Sequence, residues 1–303
     1  MDLSIIIVNY NTLTITAACI ERIFAITEGI DFEVILVDNA STDCSREHFS
    51  KDDRISYIYN HENLGFGRAN NLALKRAQGR NILFLNPDTL LLNNAAERLC
   101  AFLDQDPSAV AVGGNLFDEQ MQPALSFCRL RPSILEECDA LLFHLPQRIF
   151  AARSRFFNHT SRPVKVGYIT GADLMARRKD LIAVGGFAEE FFMYYEDTDL
   201  CHRLAQRGGK ILSIPSARIQ HLEGRSFNEA RLNRRRITLS EQGRHLYYSR
   251  NHSRRYHIAA NAIYLLSLRL HSIYYKMRKQ TISYKACRLR HTIVRHLQKS
   301  LKG

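Results

Sequence analysis

Three short segments of the chain are nearly continuous runs of apolar residues, without the alternation of a half-buried strand. They are LSIIIV at 3–8, FEVILV at 32–37 and ILFL at 82–85. Such runs are typical of strands buried on both faces of a parallel sheet. Segments with a helical period accompany them, near 12–27, 43–50 and 65–78. This order predicts β-α-β units with right-handed crossovers, and therefore an α/β fold with a doubly wound, mostly parallel sheet.

The same patterns continue toward residue 225. Asn94 followed by Glu97 resembles a capping box, which predicts a helix from there to about residue 105. Two glycines, Gly208 and Gly209, are expected to end another helix. The remaining predicted strands are 109–117, 164–171 and 217–224, and the remaining predicted helices are 133–143 and 196–208.

Polar side chains follow three of the predicted strands at their carboxyl ends. These residues are Asn9, Tyr10 and Asn11 after the first strand, Asp38 after the second, and Asn86 and Asp88 after the third. Pro87 cannot donate to a sheet ladder, so the third strand must end before it. Asn and Asp are also common turn residues, so each position alone has a structural explanation. Together, on neighbouring strands, they predict a nucleotide-binding crevice at this edge of the sheet.

The segment NLGFGRANN at 63–71 opens a helix with two glycines and invites comparison with the dinucleotide-binding pattern G-x-G-x-x-G. Asn70 occupies the third glycine position, and the segment does not follow the first strand, which argues against a hydride-transfer enzyme. The alternatives are a helix start eased by glycine, or a backbone that faces a nucleotide together with Arg68.

The segment FFMYYEDTDLCHRL at 191–204 places Glu196, Asp197 and Asp199 after an aromatic run, at a predicted helix N-terminus. The helix dipole favours carboxylates there, so capping alone would explain one acid. Adjacent carboxylates in a partly apolar pocket should have a raised pKa, which suits a general base. His221 is a lone histidine after a strand, and on its own it is best interpreted as structural.

Charge divides the chain into two predicted domains. Residues 1–225 carry 24 Lys and Arg and 28 Asp and Glu, whereas residues 226–303 carry 18 and 2, a balance of +16. An apolar helical stripe runs through this basic extension, at Ala259, Ile263, Leu266, Leu270, Ile273 and Met277. A basic amphipathic helix indicates either a membrane-surface element or a helix packed on the enzyme body. Nucleic acid is not an expected partner, because no nucleic-acid motif accompanies the charge.

The cysteines and the apolar segments bear on location. Seven cysteines, an odd number without a C-x-x-C pair, predict reduced thiols in the cytoplasm. The N-terminal segment has no basic region before its short apolar run, and no stretch of 18 uncharged apolar residues exists. We therefore expect neither a signal peptide nor a transmembrane helix, and a cytoplasmic protein held peripherally on the inner face of the cytoplasmic membrane.

Taken in order, the motifs resemble those of family 2 glycosyltransferases, over about residues 1–225, and most closely those of the bacterial rhamnosyltransferase-type branch. The motifs are VNYN, VDNASTD, NLGFGRANN, LNPDT, GADLMARR, FFMYYEDTDLCHRL and IQHLEG. The resemblance implies a GT-A fold with a Rossmann-like, mostly parallel central sheet, a nucleotide-diphosphate sugar donor and an inverting mechanism. We expect transfer of L-rhamnose from dTDP-rhamnose to a lipid-linked cell-surface glycan acceptor. The alternatives are a UDP- or GDP-hexose donor, or a non-catalytic nucleotide-binding module at the membrane.

The resemblance also implies roles for individual residues. Asp197 matches the catalytic base, with Glu196 beside it, and Asp88 matches the acid that holds Mg²⁺ or Mn²⁺, with His221 completing the metal site as in some relatives. We expect the ligand atoms of Asp88 and His221 to lie within about 6 Å of each other. Asn86 replaces the first acid of the family's metal motif. The residues expected to bind the nucleotide sugar are Asn9, Tyr10, Asn11, Asp38, Arg68, Asn86, Gly171 and Ala172.

Overall fold

A computed structural model describes residues 1–145, 155–222 and 232–301. The boundary expected at 225/226 and the last two residues of IQHLEG lie outside the described residues. By their contacts, the described residues form two compact units. The first unit contains residues 1–129, 155–192 and 196–222, and the second contains residues 130–145, 193–195 and 232–301.

The first unit is built on a mixed sheet whose strand order is β3-β2-β1-β4-β10-β6-β11-β5, with β8 beside β11. The strands are β1 Leu3–Asn9, β2 Phe32–Asn39, β3 Ile55–Asn60, β4 Asn81–Leu85, β5 Thr89–Leu91, β6 Ala109–Phe117, β7 Phe127–Cys128, β8 Val164–Lys165, β9 Tyr168–Ile169, β10 Asp173–Arg177 and β11 Lys210–His221. Strands β1 to β4 are mutually parallel, and β11 is parallel to β6. The short strands β7 and β9 form a separate pair. The predicted α/β fold with a mostly parallel sheet is therefore confirmed.

Helices cover both faces of this sheet. They are α1 Leu13–Ile26, α2 Ser45–Phe49, α3 Phe66–Leu74, α4 Ala95–Gln105, α6 Arg178–Ala183 and α7 Glu196–Gln206. Ile5 and Leu83 point into a cluster with residues of α1 and α4, whereas Ile6 and Phe84 point into a cluster with residues of α3 and α7. Consecutive residues of these strands are buried on opposite faces of the sheet, which is why the strands are apolar throughout.

Several local predictions differ from the structure. Strand β3 was not predicted, and the predicted strand 217–224 covers only the last part of β11. The predicted strand 164–171 is divided into β8 and β9, because its two halves pair with different strands, β11 and β7. Strand β10 was not predicted, and it runs antiparallel between β4 and β6. The capping box at Asn94 does not form: its side chain accepts no capping hydrogen bond, and its amide donates to the Glu28 carbonyl oxygen at 2.9 Å.

The second unit is helical. Its elements are α5 Ile134–Leu141, α8 Arg234–Asn251, α9 Arg254–Met277, α10 Thr281–Leu297 and a 3₁₀ turn at Gln298–Leu301. The basic helical C-terminal extension is thus confirmed. Residues 130–145 and 193–195 belong to the same compact unit by their contacts.

Gly243 of α8 lies close to the backbone of the three-residue segment in this unit. A Cβ at Gly243 would lie 2.4 Å from the carbonyl oxygen of Tyr194. Tyr194 and Tyr195 both have φ of 71°, which is a left-handed conformation that costs non-glycine residues roughly 1–3 kcal/mol each. The packing of α8 therefore helps to hold an unfavourable backbone immediately before Glu196.

Candidate active site

Asp88 and His221 meet because two strand ends pair. β4 ends at Leu85, and the Thr89 hydroxyl closes the following turn by donating to the Asn86 carbonyl oxygen at 2.7 Å. β5 then pairs antiparallel with β11, so His221 lies opposite Thr89. The resulting distance between Asp88 Oδ1 and His221 Nε2 is 3.2 Å. The predicted proximity of these two residues is therefore confirmed.

These residues fit a divalent cation that a diphosphate also binds. Asp88 offers a carboxylate and His221 an imidazole nitrogen, and the Asn86 side-chain amide lies 3.4 Å from His221 Nε2. No group of three or more His, Cys, Asp or Glu residues suited to a metal occurs in the described ranges. Two protein ligands suffice when phosphate oxygens supply others, which is usual for Mg²⁺.

Asp197 lies in the first turn of α7 with both carboxylate oxygens hydrogen-bonded. The backbone N–H of Gly171 donates to Oδ2 at 2.9 Å, and the backbone N–H of Thr198 donates to Oδ1 at 2.6 Å. A Cβ at Gly171 would lie 3.3 Å from the Phe66 ring and 3.7 Å from the Asp197 Cβ. The glycine, which was expected to bind the nucleotide sugar, thus gives room for Phe66 and Asp197.

Glu196 and Asp197 have different surroundings. Burial, and then the charge of Asp197, raise the pKa of Glu196 to about 8. Glu196 Oε2 is buried and has no hydrogen-bond partner within the described structure. Burial also raises the pKa of Asp197, but the N–H groups of Gly171 and Thr198 oppose this rise. At neutral pH Glu196 therefore keeps its proton, and Asp197 is the carboxyl group better able to carry the charge.

Asp199, the third acid of this segment, has a structural partner. Its carboxylate accepts a hydrogen bond from Arg203 Nε at 2.7 Å, one turn later in α7. Arg203 also donates to the Val184 carbonyl oxygen. This buried pair ties α7 to the end of α6.

Asn9 and Asp38 join the ends of β1 and β2. The Asn9 side-chain amide donates to Ser41 Oγ at 3.0 Å, and Asp38 Oδ1 accepts from the Ser41 backbone N–H at 2.9 Å. Asp38 Oδ2 accepts from the Tyr57 hydroxyl at 2.8 Å. A carboxylate has further lone pairs, so these bonds leave acceptor capacity on Asp38 for a ligand.

The two residues after Asn9 also lie at this strand end. Asn11 Oδ1 accepts from the backbone N–H of Thr42 at 2.7 Å, which adds a second tie between the two strand-end loops. Tyr10 between them is half exposed. An exposed ring next to buried Asp38 is suited to stacking on a nucleobase.

Arg68 and Ala172, both expected to bind the nucleotide sugar, differ in their exposure to solvent. Arg68 is exposed on α3, and its Nε donates to the Glu189 carbonyl oxygen at 2.8 Å. Ala172 is buried in the core of the sheet, and its carbonyl oxygen accepts from the Asn86 backbone N–H at 3.0 Å. Ala172 therefore supports the strand end through its backbone.

Three residues of this region were missed in the sequence. Ser41 and Thr198 hold site residues through their backbone and hydroxyl groups, which no sequence pattern distinguishes from ordinary turn residues. Asp173 is fully buried at the start of β10, and burial raises its pKa to about 7. The feature of the sequence that could have identified it is a lone acid before an apolar run. Its Oδ2 accepts a hydrogen bond from the Gly114 backbone N–H.

A separate cleft of about 910 Å³ lies at the opposite edge of the sheet, where β4, β6 and β11 begin. Arg80, Asp104, Arg177 and Arg207 are among its lining residues. None of the predicted site residues lines it.

Comparisons with known proteins identify the family of the chain. The family model described as glycosyl transferase family 2 matches residues 4–182, and one described as the N-terminal domain of galactosyltransferase matches residues 151–225. An N-acetylglucosaminyl-diphospho-decaprenol L-rhamnosyltransferase of Mycobacterium tuberculosis is 28% identical over 209 residues, covering 64% of this chain and 67% of that protein. The rhamnosyltransferase WbbL of Escherichia coli is 25% identical over 173 residues, covering 54% of this chain and 64% of that protein.

A solved structure gives the same result for the fold. It is the mannosyltransferase PcManGT of Pyrobaculum calidifontis, in complex with GDP-Man and Mn²⁺. It matches with a TM-score of 0.59 at 17% identity, covering 97% of this chain and 84% of that chain.

Proposed function

The chain belongs to glycosyl transferase family 2 and has the GT-A fold, and from that premise we propose that it is an inverting rhamnosyltransferase. Its donor is dTDP-L-rhamnose and its acceptor is a lipid-linked glycan of a cell-surface polysaccharide. The M. tuberculosis and E. coli relatives, which are rhamnosyltransferases, support the choice of sugar. The diphospho-decaprenol acceptor in the name of the M. tuberculosis protein supports a lipid carrier.

One observation carries this proposal: residues 171 and 172 connect the two halves of the site. The Ala172 carbonyl oxygen accepts from Asn86, two residues before Asp88, and the Gly171 N–H donates to Asp197. The diphosphate side and the acceptor side of the reaction are thereby held by one dipeptide. A displacement at an anomeric carbon needs the leaving group and the base on different sides of the sugar, and a link of this kind between the two sides supports the proposal.

In the mechanism we propose, Asp88 and His221 would hold a divalent cation, Mg²⁺ or Mn²⁺, which would supply positive charge against the charge that develops on the diphosphate. Asp197 accepts the proton of the acceptor hydroxyl while the oxygen of that hydroxyl attacks the anomeric carbon. The new bond forms on the face opposite the departing nucleoside diphosphate, so the configuration inverts.

Glu196 acts in this scheme as a neutral group. Its retained proton leaves Asp197 as the single negative charge of the pair at neutral pH, and it gives the acceptor a possible hydrogen-bond donor. Glu196 therefore positions the acceptor or the loop, and Asp197 is the base.

We also propose that the enzyme works at the inner face of the cytoplasmic membrane, held there by its basic helical extension. None of the described helices is long and apolar enough to cross a bilayer. A peripheral position would bring the site to a lipid-linked acceptor without a spanning segment.

A donor screen by thermal unfolding tests the function. A ligand that binds only the folded state raises the melting temperature, and we expect the largest rise with dTDP-rhamnose plus Mn²⁺. Asp88→Asn should lose the Mn²⁺-dependent part of this rise. A larger rise with a UDP- or GDP-hexose would change the donor, as the GDP-Man of the P. calidifontis enzyme illustrates. Binding without any donor turnover, with or without acceptor, would favour the non-catalytic nucleotide-binding alternative.

A further inference from the structure

The long helix α9 has its polar side buried and its apolar side exposed. Its buried residues are His257, Ala260, Asn261, Ser267, Leu268 and Ser272, four of which are polar. The sequence-predicted apolar stripe lies on the other side of this helix, where Ile273 is 58% and Met277 78% exposed. Leu266 and Leu270 are also exposed. Packing in the described structure therefore does not account for the stripe.

The short helix α5 shows the same inversion. Glu137 and Asp139 are buried, whereas Leu135 is 74% and Leu142 53% exposed. This is opposite to the usual distribution of residues in a water-soluble helical unit.

Four buried polar side chains of this unit, Glu137, Arg244, Tyr248 and Asn261, are joined by hydrogen bonds. Arg244 Nε donates to Glu137 Oε1 at 3.1 Å, and the Tyr248 hydroxyl donates to the same oxygen at 3.0 Å. Arg244 also donates to Asn261 Oδ1 at 2.6 Å. Each member of such a buried hydrogen-bond network needs a specific partner, so the network defines how the helices pack. In this packing the polar side chains lie inside and the apolar side chains are exposed.

The exposed apolar residues of α5 and α9 are neighbours. The Phe143 ring, just after α5, lies 5.3 Å from the Tyr274 ring and 4.2 Å from the His271 ring. We define the apolar face of the helical unit as Leu142, Phe143, Leu266, Leu270, Ile273 and Met277. A contiguous exposed face of this kind marks an interaction surface.

Charge identifies the occupant of this face. Residues 254–303 contain 12 Lys and Arg and no Asp or Glu. Arg269 and Lys276 are exposed on the same helix as the stripe. A second copy of the chain would bring these like charges together, whereas an anionic bilayer attracts them. Each basic residue near the surface raises the membrane-binding constant by about tenfold or less.

We propose that the apolar face inserts into the headgroup layer of an anionic phospholipid bilayer, with α9 lying along the membrane surface. The residues from 259 to 277 would give about 27 Å of helix for this contact. The inference deepens the proposed peripheral location by naming the surface that makes it, and it rests on that part of the proposed function.

Vesicle flotation of the full chain tests the proposal. We expect it to float with vesicles of phosphatidylcholine and phosphatidylglycerol, and at least tenfold less with phosphatidylcholine alone. The double change Ile273→Glu and Met277→Glu should reduce flotation at least tenfold. A matched control is Ile182→Glu with Lys179→Glu, which places two acids on exposed positions of the first unit and should reduce flotation far less.

The remaining measurements separate the possible failures. Donor binding followed by thermal shift should be the same in the double variant and the parent, so loss of flotation would not be confused with loss of the transferase site. Absence of flotation of the parent with anionic vesicles at low salt would overturn the proposal. So would a parent dimer that the double variant converts to a monomer in sedimentation, because a second copy would then cover the face.

Discussion

At the scale of single residues, the active site depends on the different surroundings of two adjacent acids. Asp197 has both oxygens hydrogen-bonded by N–H groups, and Glu196 has a buried oxygen without a partner in the described structure. The pattern of acids in the sequence predicted a base here, but it did not distinguish their protonation states. That distinction arises from the burial of Glu196 and from the N–H groups of Thr198 and the distant Gly171, which donate to Asp197.

The first prediction concerns the base. Asp197→Asn should lower kcat by about 10²- to 10⁴-fold, because the amide cannot accept the proton of the acceptor. Donor affinity should stay nearly unchanged, since Asp197 acts on the acceptor. Steady-state kinetics with both substrates varied will measure both quantities. Glu196→Gln is the matched control and should cost less; if it abolishes turnover while Asp197→Asn remains active, the two roles are reversed.

The second prediction concerns pH. The pKa of Glu196 is about 8 in the folded protein against 4.5 for a free side chain, so the folded state holds a proton that the unfolded state has lost. The free energy of unfolding should therefore fall as the pH rises from about 4.5 to 8. Glu196→Gln should make this fall shallower. Melting temperatures between pH 5 and 8.5 will show it, with Asp173 contributing a fall of the same sign in both proteins. Parallel curves would contradict the assignment.

At the scale of elements, the sequence predicted strands best where burial is uniform. β1, β2, β4 and β6 were located to within two residues, because both faces of each are covered and the run is apolar throughout. β10 and the division between β8 and β9 depend on distant pairing partners, which leave no periodic signal in five residues or fewer. The meeting of Asp88 with His221 was predicted from the resemblance, and the β5–β11 pairing supplies its physical cause.

The third prediction tests how α8 holds the segment before α7. Gly243→Ala should destabilise the protein by about 1–3 kcal/mol, because the new methyl group meets the Tyr194 carbonyl oxygen at 2.4 Å. It should also lower kcat, since Tyr195 directly precedes Glu196. Gln242→Ala, at an exposed position of the same helix, is the control and should change neither quantity. Equal melting temperatures for the two variants would show that the contact relaxes without cost.

At the scale of the whole molecule, charge is segregated along the chain. The first 225 residues have a balance of −4 and the remainder one of +16. A nucleotide diphosphate and an anionic membrane are both negatively charged. In the proposed function these two partners bind different parts of one chain. In the proposed mechanism the phosphate side of the reaction would depend on Asp88, His221 and a cation, and the basic extension would remain available for lipid.

The fourth prediction follows from this segregation. The rate with a lipid-linked acceptor in anionic vesicles should fall several-fold between 50 and 500 mM NaCl, because salt screens the attraction of the extension to the surface. The rate with a short water-soluble acceptor should change much less. Initial rates with both acceptors at matched donor concentration will test this. An equal salt effect on both would place the sensitivity in the catalytic unit.

The contact between Gly243 and Tyr194 also has a consequence for the timing of synthesis. The segment before Glu196 and Asp197 is complete in its packing only after Gly243 of α8 has been made, 48 residues after Tyr195. At about 5–20 residues per second, that interval lasts roughly 2–10 s. A nascent chain that has already formed β1 to β4 therefore still lacks the packing that holds the residues before Glu196 and Asp197. In the proposed mechanism, full support of the base therefore has to wait until synthesis has reached α8 of the helical extension.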